Sequence, residues 1–254
     1  MEQRPASWLP MAVVAMGQTL TTLNISALPV LIGAMVDEFG IAPTMVASTI
    51  VVYSIAVSGF IMLGAKLGQK HGATTVFRWS TALLLLASAL TTYSPNFGML
   101  LAAQGLSGLG AALLLPSLVV LITDNYSGPQ QAKAIGLLGG VQAAATVATI
   151  LIAGTVGTHL GWRYSFGLII PFAVLTWLMS HMLEPSGKRP ELKIDRVGAV
   201  LAAISIACIS LGFNFIDDWG LIRAFASATS GPLGISPALL MIIAGLVGIQ
   251  LFII

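Results

Sequence analysis

Long apolar segments separated by short polar ones constrain this chain more than any other feature. A transmembrane helix needs about 20 mostly apolar residues, because the hydrocarbon core of a bilayer is about 30 Å thick. Hydrophobic residues make up 57% of the 254-residue chain and charged residues only 8%, whereas soluble domains carry about 25% charged residues. The sequence therefore predicts an all-α integral membrane protein with about eight spans. The apolar segments cover residues 8–36, 45–63, 76–93, 99–123, 134–156, 164–183, 197–216 and 237–254.

The distribution of lysine and arginine predicts how these spans are oriented. Cytoplasmic loops of membrane proteins carry an excess of both residues. With the N-terminus in the cytoplasm, nine basic residues lie on the inner side and two, Arg163 and Arg223, on the outer side. The opposite orientation would reverse this ratio, so a cytoplasmic N-terminus is predicted. The inner basic residues are Arg4, Lys66, Lys70, Arg78, Lys133, Lys188, Arg189, Lys193 and Arg196.

The last apolar segment has no polar tail, since the chain stops at Phe252, Ile253 and Ile254. Membrane spans usually end in interfacial anchors such as tryptophan, tyrosine, lysine or arginine. We therefore favour the interpretation that the chain is a fragment of a longer protein. The alternative is a short protein whose last helix ends at the membrane surface.

The sequence contains no pattern typical of an enzyme, a metal site or a cofactor site. His71, His159 and His181 are far from one another in sequence and from the single cysteine, Cys208, so no metal-ligand spacing is present. Neither a nucleophile elbow nor a nucleotide-binding loop occurs. The net charge of +2 gives no basic patch for nucleic acid. We expect a protein that is not an enzyme, with no cofactor, metal or nucleic-acid partner.

Small residues are concentrated in the fourth and fifth apolar segments. The fourth contains Gly105, Gly108 and Gly110, and Gly154 lies near the end of the fifth. In lipid, small residues let two helix backbones approach closely, and dispersion then holds the helices together. These four glycines are therefore predicted to be helix-packing positions. The alternative is that they leave room for a cavity or for sliding between helices.

Four segments carry a family resemblance. A-K-L-G-Q-K-H-G at residues 65–72 is similar to the signature loop G-x-L-a-D-R-x-G-R-K of the major facilitator superfamily. Residues 104–112, followed by Pro116, resemble the R-x-x-Q-G-x-G-A-A motif of its fourth span. T-T-L-N-I-S-A-L-P at 21–29 resembles L-D-x-T-I-V-N-V-A-L-P, and H-L-G-W-R-Y-S-F at 159–166 resembles W-R-W-x-F. Together they span the first six apolar segments.

The resemblance implies a membrane transporter, specifically the front part of a fourteen-span drug:proton antiporter. Residues 1–185 would form the N-terminal six-helix bundle, 186–196 a cytoplasmic linker, and 197–254 two additional helices. The implied function is export of small amphipathic or drug-like compounds across the inner (cytoplasmic) membrane. The implied partners are the lipid bilayer and the missing C-terminal bundle, a homodimer partner or other membrane subunits. The alternative is a degenerate, non-transporting subunit with a structural or assembly role in a membrane complex.

The chain departs from the family motifs at charged positions. Gln69 replaces the aspartate of the signature loop, Gln104 the arginine of the fourth span, and Leu20 the aspartate of the first. Apart from Arg78, no Asp, Glu, Lys or Arg lies within the first six apolar segments. Ionisable groups inside the membrane mark proton relays. His181 is the one titratable candidate near neutral pH, and proton-driven transport by this chain alone is therefore doubtful.

Neutral polar residues remain as candidates for the functional site. The first and fourth spans of the family line the central path, so their polar side chains are predicted to contact substrate or to join helices by hydrogen bonds. The candidate substrate-path residues are Thr22, Asn24, Gln104, Ser107 and Gln142. The candidate signature-loop residues are Gln69, Lys70 and Gly72.

Overall fold

The computed structural model describes residues 7–187, 196–221 and 235–253. Within them the chain is helical, and six helices are long and apolar enough to cross a membrane, counting α6, α7 and a short 3₁₀ turn as one 21-residue span. The all-α membrane fold predicted from the sequence is confirmed. The helices are α1 (Leu9–Phe39), α2 (Pro43–His71), α3 (Ala73–Thr92), α4 (Phe97–Asn125), α5 (Gly128–His159), α6 (Trp162–Gly167), α7 (Ile169–Met179), α8 (Arg196–Asn214), α9 (Ile216–Trp219) and α10 (Pro237–Ile253).

Local chemistry explains where several helices begin and end. Gly40 ends α1 in the left-handed conformation, and its N–H donates to the Val36 carbonyl, which is a common helix C-cap. Gly72 alone separates α2 from α3 and has φ = 88°, which favours a residue without Cβ. Asn96 caps α4, because its side chain accepts a hydrogen bond from the Met99 N–H at 2.9 Å.

The helices pack as a bundle around α4. It lies against both α2 and α3, whereas α1 packs mainly along α5 and also contacts α4. Large side chains fill the space between these helices, and the largest that are fully buried include Phe77, Leu84, Leu118, Trp162 and Phe166. Between helices in lipid, this core is held by close packing rather than by exclusion of water.

The sixth predicted span forms one membrane-length helix with a single irregular residue. α6 stops at Gly167 and α7 begins at Ile169, but Leu168 between them keeps helical backbone angles and its N–H donates to the Tyr164 carbonyl at 3.0 Å. Pro171 accounts for the irregularity, because it has no N–H to donate to the carbonyl four residues earlier, that of Gly167, and its ring crowds that carbonyl. At the other end of α7, Arg78 donates to the Ser180 carbonyl at 3.1 Å. The guanidinium thereby adds a second donor to a helix-end carbonyl that also accepts from the Leu183 N–H at 3.3 Å.

The two C-terminal helices, α8 and α10, pair closely with each other, and α8 lies against α2. A Cβ on Gly212 would come within 2.7 Å of the Ala238 carbonyl oxygen, so the small residue permits this pairing. Their apolar parts are shorter than the first six spans. Residues 188–195, which form most of the predicted linker, lie outside the described residues, as do Arg4 and Arg223. The division at 185 and 196 therefore stays a prediction.

Candidate functional site: the polar contact between α1 and α4

A buried hydrogen bond joins α1 to α4 near the middle of both helices. The Asn24 side-chain amide donates to the Ser107 hydroxyl oxygen at 3.3 Å, and both residues are buried. The two are 83 positions apart in the sequence, and the structure brings these two predicted substrate-path residues into direct contact. The bond fixes the register of α1 against α4 in the core of the bundle.

Gln104 lies one turn before Ser107 on α4 and makes a separate contact to α3. Its amide donates to the Thr91 hydroxyl at 3.3 Å. Among the described residues, the Asn24 Oδ1 and Gln104 Oε1 atoms are buried without a hydrogen-bond donor. A buried amide oxygen without a donor costs about 1–3 kcal/mol, so these two acceptors make the α1–α4 region the most under-satisfied polar part of the bundle.

The other two substrate-path candidates lie away from this contact. Thr22 is two residues from Asn24, which places it on a different face of α1 because successive residues rotate by about 100°. Its hydroxyl accepts from Gln18 Nε2 at 3.3 Å. Gln142 is exposed on α5. The structure therefore groups Asn24, Ser107 and Gln104 and separates Thr22 and Gln142 from them.

Most of the signature segment is helical rather than a loop. Gln69 and Lys70 lie in the last turn of α2, and only Gly72 forms the connection to α3. Gln69 is exposed and Lys70 is half-buried. Lys70 and His71 are basic residues in the last turn, where they interact favourably with the negative end of the helix dipole.

The candidate packing glycines differ in how closely another helix approaches them. A Cβ on Gly108 would lie 2.7 Å from Ala56 Cβ and would overlap the Tyr53 carbonyl oxygen of α2. A Cβ on Gly110 would lie 2.8 Å from the Leu84 side chain of α3. Gly105 is less tight, with Val52 Cγ1 at 3.3 Å, and Gly154 is in ordinary contact with Val30 at 3.8 Å. Gly108 and Gly110 thus set the distance from α4 to its two neighbours.

An ion pair connects three elements at the opposite end of the bundle from Lys70. Arg163, at the start of α6, forms a salt bridge with Glu38 near the end of α1. It also donates to the Ser94 carbonyl at 2.6 Å, and its guanidinium lies 4.4 Å from the Trp162 ring centre. The sequence predicted Arg163 on the outer side of the membrane but did not identify Glu38 as its partner. The sequence signal that could have indicated this ion pair is the acidic pair Asp37 and Glu38 after the first span, on the side where basic residues are scarce.

A family model confirms the resemblance. The model of the Major Facilitator Superfamily matches residues 14–254. The chain belongs to this superfamily. Facilitator membership fits a bundle in which α1 and α4 meet through neutral polar side chains, and it agrees with the motifs at 65–72 and 104–112. As a multi-pass membrane protein, this facilitator has the all-helical architecture that its sequence predicts.

Curated relatives of this facilitator are transport and resistance proteins. The chain is 28% identical over 190 residues to a multidrug transporter of Aspergillus fumigatus, a match that covers 70% of this chain and 35% of the relative. It is 26% identical to the cephamycin export protein of Amycolatopsis lactamdurans, covering 79% and 42% of the two chains. It is also 26% identical to the puromycin resistance protein of Streptomyces alboniger, covering 85% and 44%. The facilitator chain therefore spans less than half the length of these relatives.

Solved structures share the fold at low identity. The POT family transporter PepTSo superimposes with a TM-score of 0.65 at 13% identity, over 98% of this chain and 52% of that one. A peptide transporter POT solved with sulfate gives 0.66 at 13% identity, over 84% and 47%. At this identity the likeness supports the helix arrangement of the facilitator alone.

Proposed function

We propose that this chain is the front part of an exporter of small amphipathic or drug-like compounds. The observation that carries the proposal is the superfamily match over residues 14–254, together with relatives named for cephamycin export, puromycin resistance and multidrug transport. These names favour transport over the accessory, non-transporting role. Because the chain spans less than half of these relatives, the complete transport unit includes a second bundle in addition to the described helices.

The positions of the charged residues support different roles for the two bundles, one in lining the substrate path and one in proton coupling. In the six long helices that the structure describes, every Asp, Glu, Lys and Arg lies within two turns of a helix end. A group that carries protons through a membrane protein must change its charge inside the membrane. We infer that this bundle provides a neutral wall of the substrate path and that the group coupling export to a proton gradient lies in the second bundle.

The α1–α4 contact has a defined part in this proposal. Asn24 and Ser107 are already buried within the single bundle, so we assign them to holding α1 on α4 during transport. Alternating access rocks one bundle against the other around a site at the midplane. A rigid α1–α4 pair lets the bundle move as one body. Gln142, which is exposed on α5, is the candidate of the five that is free to face a substrate.

The test uses the complete gene expressed in a bacterial strain that lacks its own exporters. Cells are loaded with ethidium, a cationic amphipathic dye, and efflux is followed by fluorescence with and without a protonophore. We expect export that stops when the gradient is dissipated. Gln142→Leu should change the relative rates for two dyes, whereas Leu178→Ala, at an exposed site on α7, should not.

Two outcomes would contradict the proposal. Dye accumulation equal to that of the empty vector, with folded protein detected in the membrane, would remove the export function. Export that persists unchanged in the presence of the protonophore would remove proton coupling by the second bundle.

The orientation is proposed from the excess of basic residues on one side. With Cys208 replaced by alanine, Gln69→Cys should react with an impermeant maleimide only after the membrane is opened. Thr158→Cys, at the opposite end of the bundle, should react in intact cells. Both positions are exposed, so the reverse labelling pattern would overturn the proposed cytoplasmic N-terminus in the inner membrane.

A further inference from the structure

A groove runs between α5 and the α6–α7 helix. Two cavities that share Leu168 as a wall form it, and their volumes are about 690 Å³ and 200 Å³. The larger lies at the bundle end that holds Arg163 and Leu160. The smaller is deeper and reaches Thr149 and Phe172. The groove lies beside the contact of α5 with α6, and Pro171 is one of the residues that line its larger part.

The deep part of the groove offers almost no polar partner to an occupant. The Thr149 hydroxyl donates to the Ala145 carbonyl at 2.6 Å, and the Ser165 hydroxyl donates to the Ala153 carbonyl. The remaining lining side chains of the smaller cavity are hydrocarbon. A polar molecule in this cavity would lose its hydrogen bonds to water and gain few from the protein. A hydrocarbon chain has no such hydrogen bonds to lose.

The mouth of the groove carries charge. The Arg163 side chain is 30% exposed, and its contacts to Glu38 and to the Ser94 carbonyl use two of its five N–H donors. The guanidinium geometry matches the oxygens of a phosphate. Tyr164 is also exposed at this mouth, and tyrosine favours the headgroup layer of a membrane.

The length of the groove matches one leaflet of a bilayer. Eleven residue steps separate Thr149 from the α5 C-cap Leu160, which corresponds to about 16 Å along a helix. Half of the hydrocarbon core is about 15 Å. An acyl chain in the groove would thus begin at the level of Arg163 and end near the membrane midplane.

We propose that this groove is a phospholipid site, in which one acyl chain lies between α5 and α6–α7 and the lipid phosphate binds Arg163. The lipid headgroup then lies beside the Glu38–Arg163 ion pair. Neither the family match nor the names of the relatives specify such a site. It is independent of whether the protein exports drugs.

The test measures lipid retention by the complete protein. It is purified in detergent, stripped of lipid, and incubated with mixed micelles of phosphatidylethanolamine and phosphatidylglycerol, and bound lipid is counted by native mass spectrometry. We expect one retained phospholipid per protein and about tenfold weaker binding of diacylglycerol, which lacks the phosphate. Ile152→Trp, at a groove position that is 44% exposed, should reduce retention about tenfold, and Leu178→Trp, 54% exposed outside the groove, should leave it unchanged.

A second measurement avoids substitution. A phospholipid with a photoreactive group in its acyl chain is reconstituted with the wild-type protein in vesicles of the same two lipids. Labelling concentrated in the peptides of α5 and α6–α7 that line the groove supports the site. If Ile152→Trp does not fold, Leu168→Trp blocks the same groove.

Four results would overturn the proposal. The first is equal lipid retention by Ile152→Trp and Leu178→Trp, and the second is equal binding of phospholipid and diacylglycerol. The third is labelling spread evenly over all exposed helices. The fourth is absence of label in the groove of the complete protein, which would mean that protein, rather than lipid, covers this face.

Discussion

Replacing Gly108 by alanine tests how α4 is held in the bundle. Its Cβ would overlap the Tyr53 carbonyl oxygen and lie 2.7 Å from Ala56 Cβ. Both atoms belong to α2, and one of them is backbone, so neither can rotate away as the end of a long side chain could. The helices must separate, and the packing of the α2–α4 contact must weaken.

The size of the effect follows from two opposing terms. Alanine in place of glycine within a helix gains up to about 1 kcal/mol of intrinsic stability. Overpacking a tight core contact typically costs about 1–3 kcal/mol, and the loss is at the upper end when the obstacle is a carbonyl group. We therefore expect Gly108→Ala to lower the free energy of unfolding by about 1–2 kcal/mol net. Gly136→Ala is the matched control, because a Cβ there meets nothing within 4 Å.

The assay is reversible unfolding of the complete protein in lipid nanodiscs, followed by tryptophan fluorescence and by thermal melting. Gly136→Ala should be neutral or slightly stabilising, so the two variants should differ by about 1–3 kcal/mol. Equal stability of the two variants, with both correctly folded, would refute the close α2–α4 approach. A loss in both would show that glycine flexibility, rather than packing space, is needed in this membrane protein.

Three further substitutions test other parts of the structure. Gly72→Ala should lower the stability of the protein by about 1–3 kcal/mol in the same melting assay, because φ is 88° at this position. Gly68→Ala is the control and should be tolerated, since a Cβ there has only the Ser117 hydroxyl nearby, at 3.9 Å. Ser107→Ala should cost about 1–3 kcal/mol by leaving the Asn24 amide without its acceptor, and unfolding should show no further loss when Asn24→Leu is added. Arg163→Lys should lower the melting temperature, because lysine cannot reach both Glu38 and the Ser94 carbonyl with a planar fork; an unchanged melting temperature would show that this ion pair does not stabilise the bundle.

The sequence predicted the helices well because long apolar runs have few alternatives in a membrane. The structure extends them beyond the apolar segments. The second segment was predicted to end at Leu63, yet α2 continues to His71. Lys66 and Lys70 permit this, since long side chains cover apolar surface with their stems while the ammonium groups reach the headgroup layer. Hydropathy marks where lipid contact ends, whereas the helix ends where Gly72 adopts positive φ.

Contacts between distant segments could not be predicted in the same way. Asn24 and Ser107 were both candidates, but their pairing depends on how α1 and α4 cross and rotate, and no local signal fixes either angle. The pairing of Arg163 with Glu38 rather than with Asp37 depends on the path of two short connections. Pro171 removes one backbone hydrogen bond from the sixth span, yet the span continues through it, since proline is often tolerated in membrane helices.

The lack of charged residues in the helix interiors and their placement at the helix ends have one physical cause. An Asp, Lys or Arg at the centre of a membrane helix costs at least about 2.5–3.5 kcal/mol, and Asn, Gln, Ser and Thr can join helices at a smaller penalty. In the part of the chain that the structure describes, Asn24 and Gln104 provide these contacts and the charges remain at the helix ends. A bundle built in this way has little reason to change shape when the proton gradient changes. Under the proposed function, its motion is therefore imposed from outside, and this is the physical reason for assigning energy coupling to a second bundle.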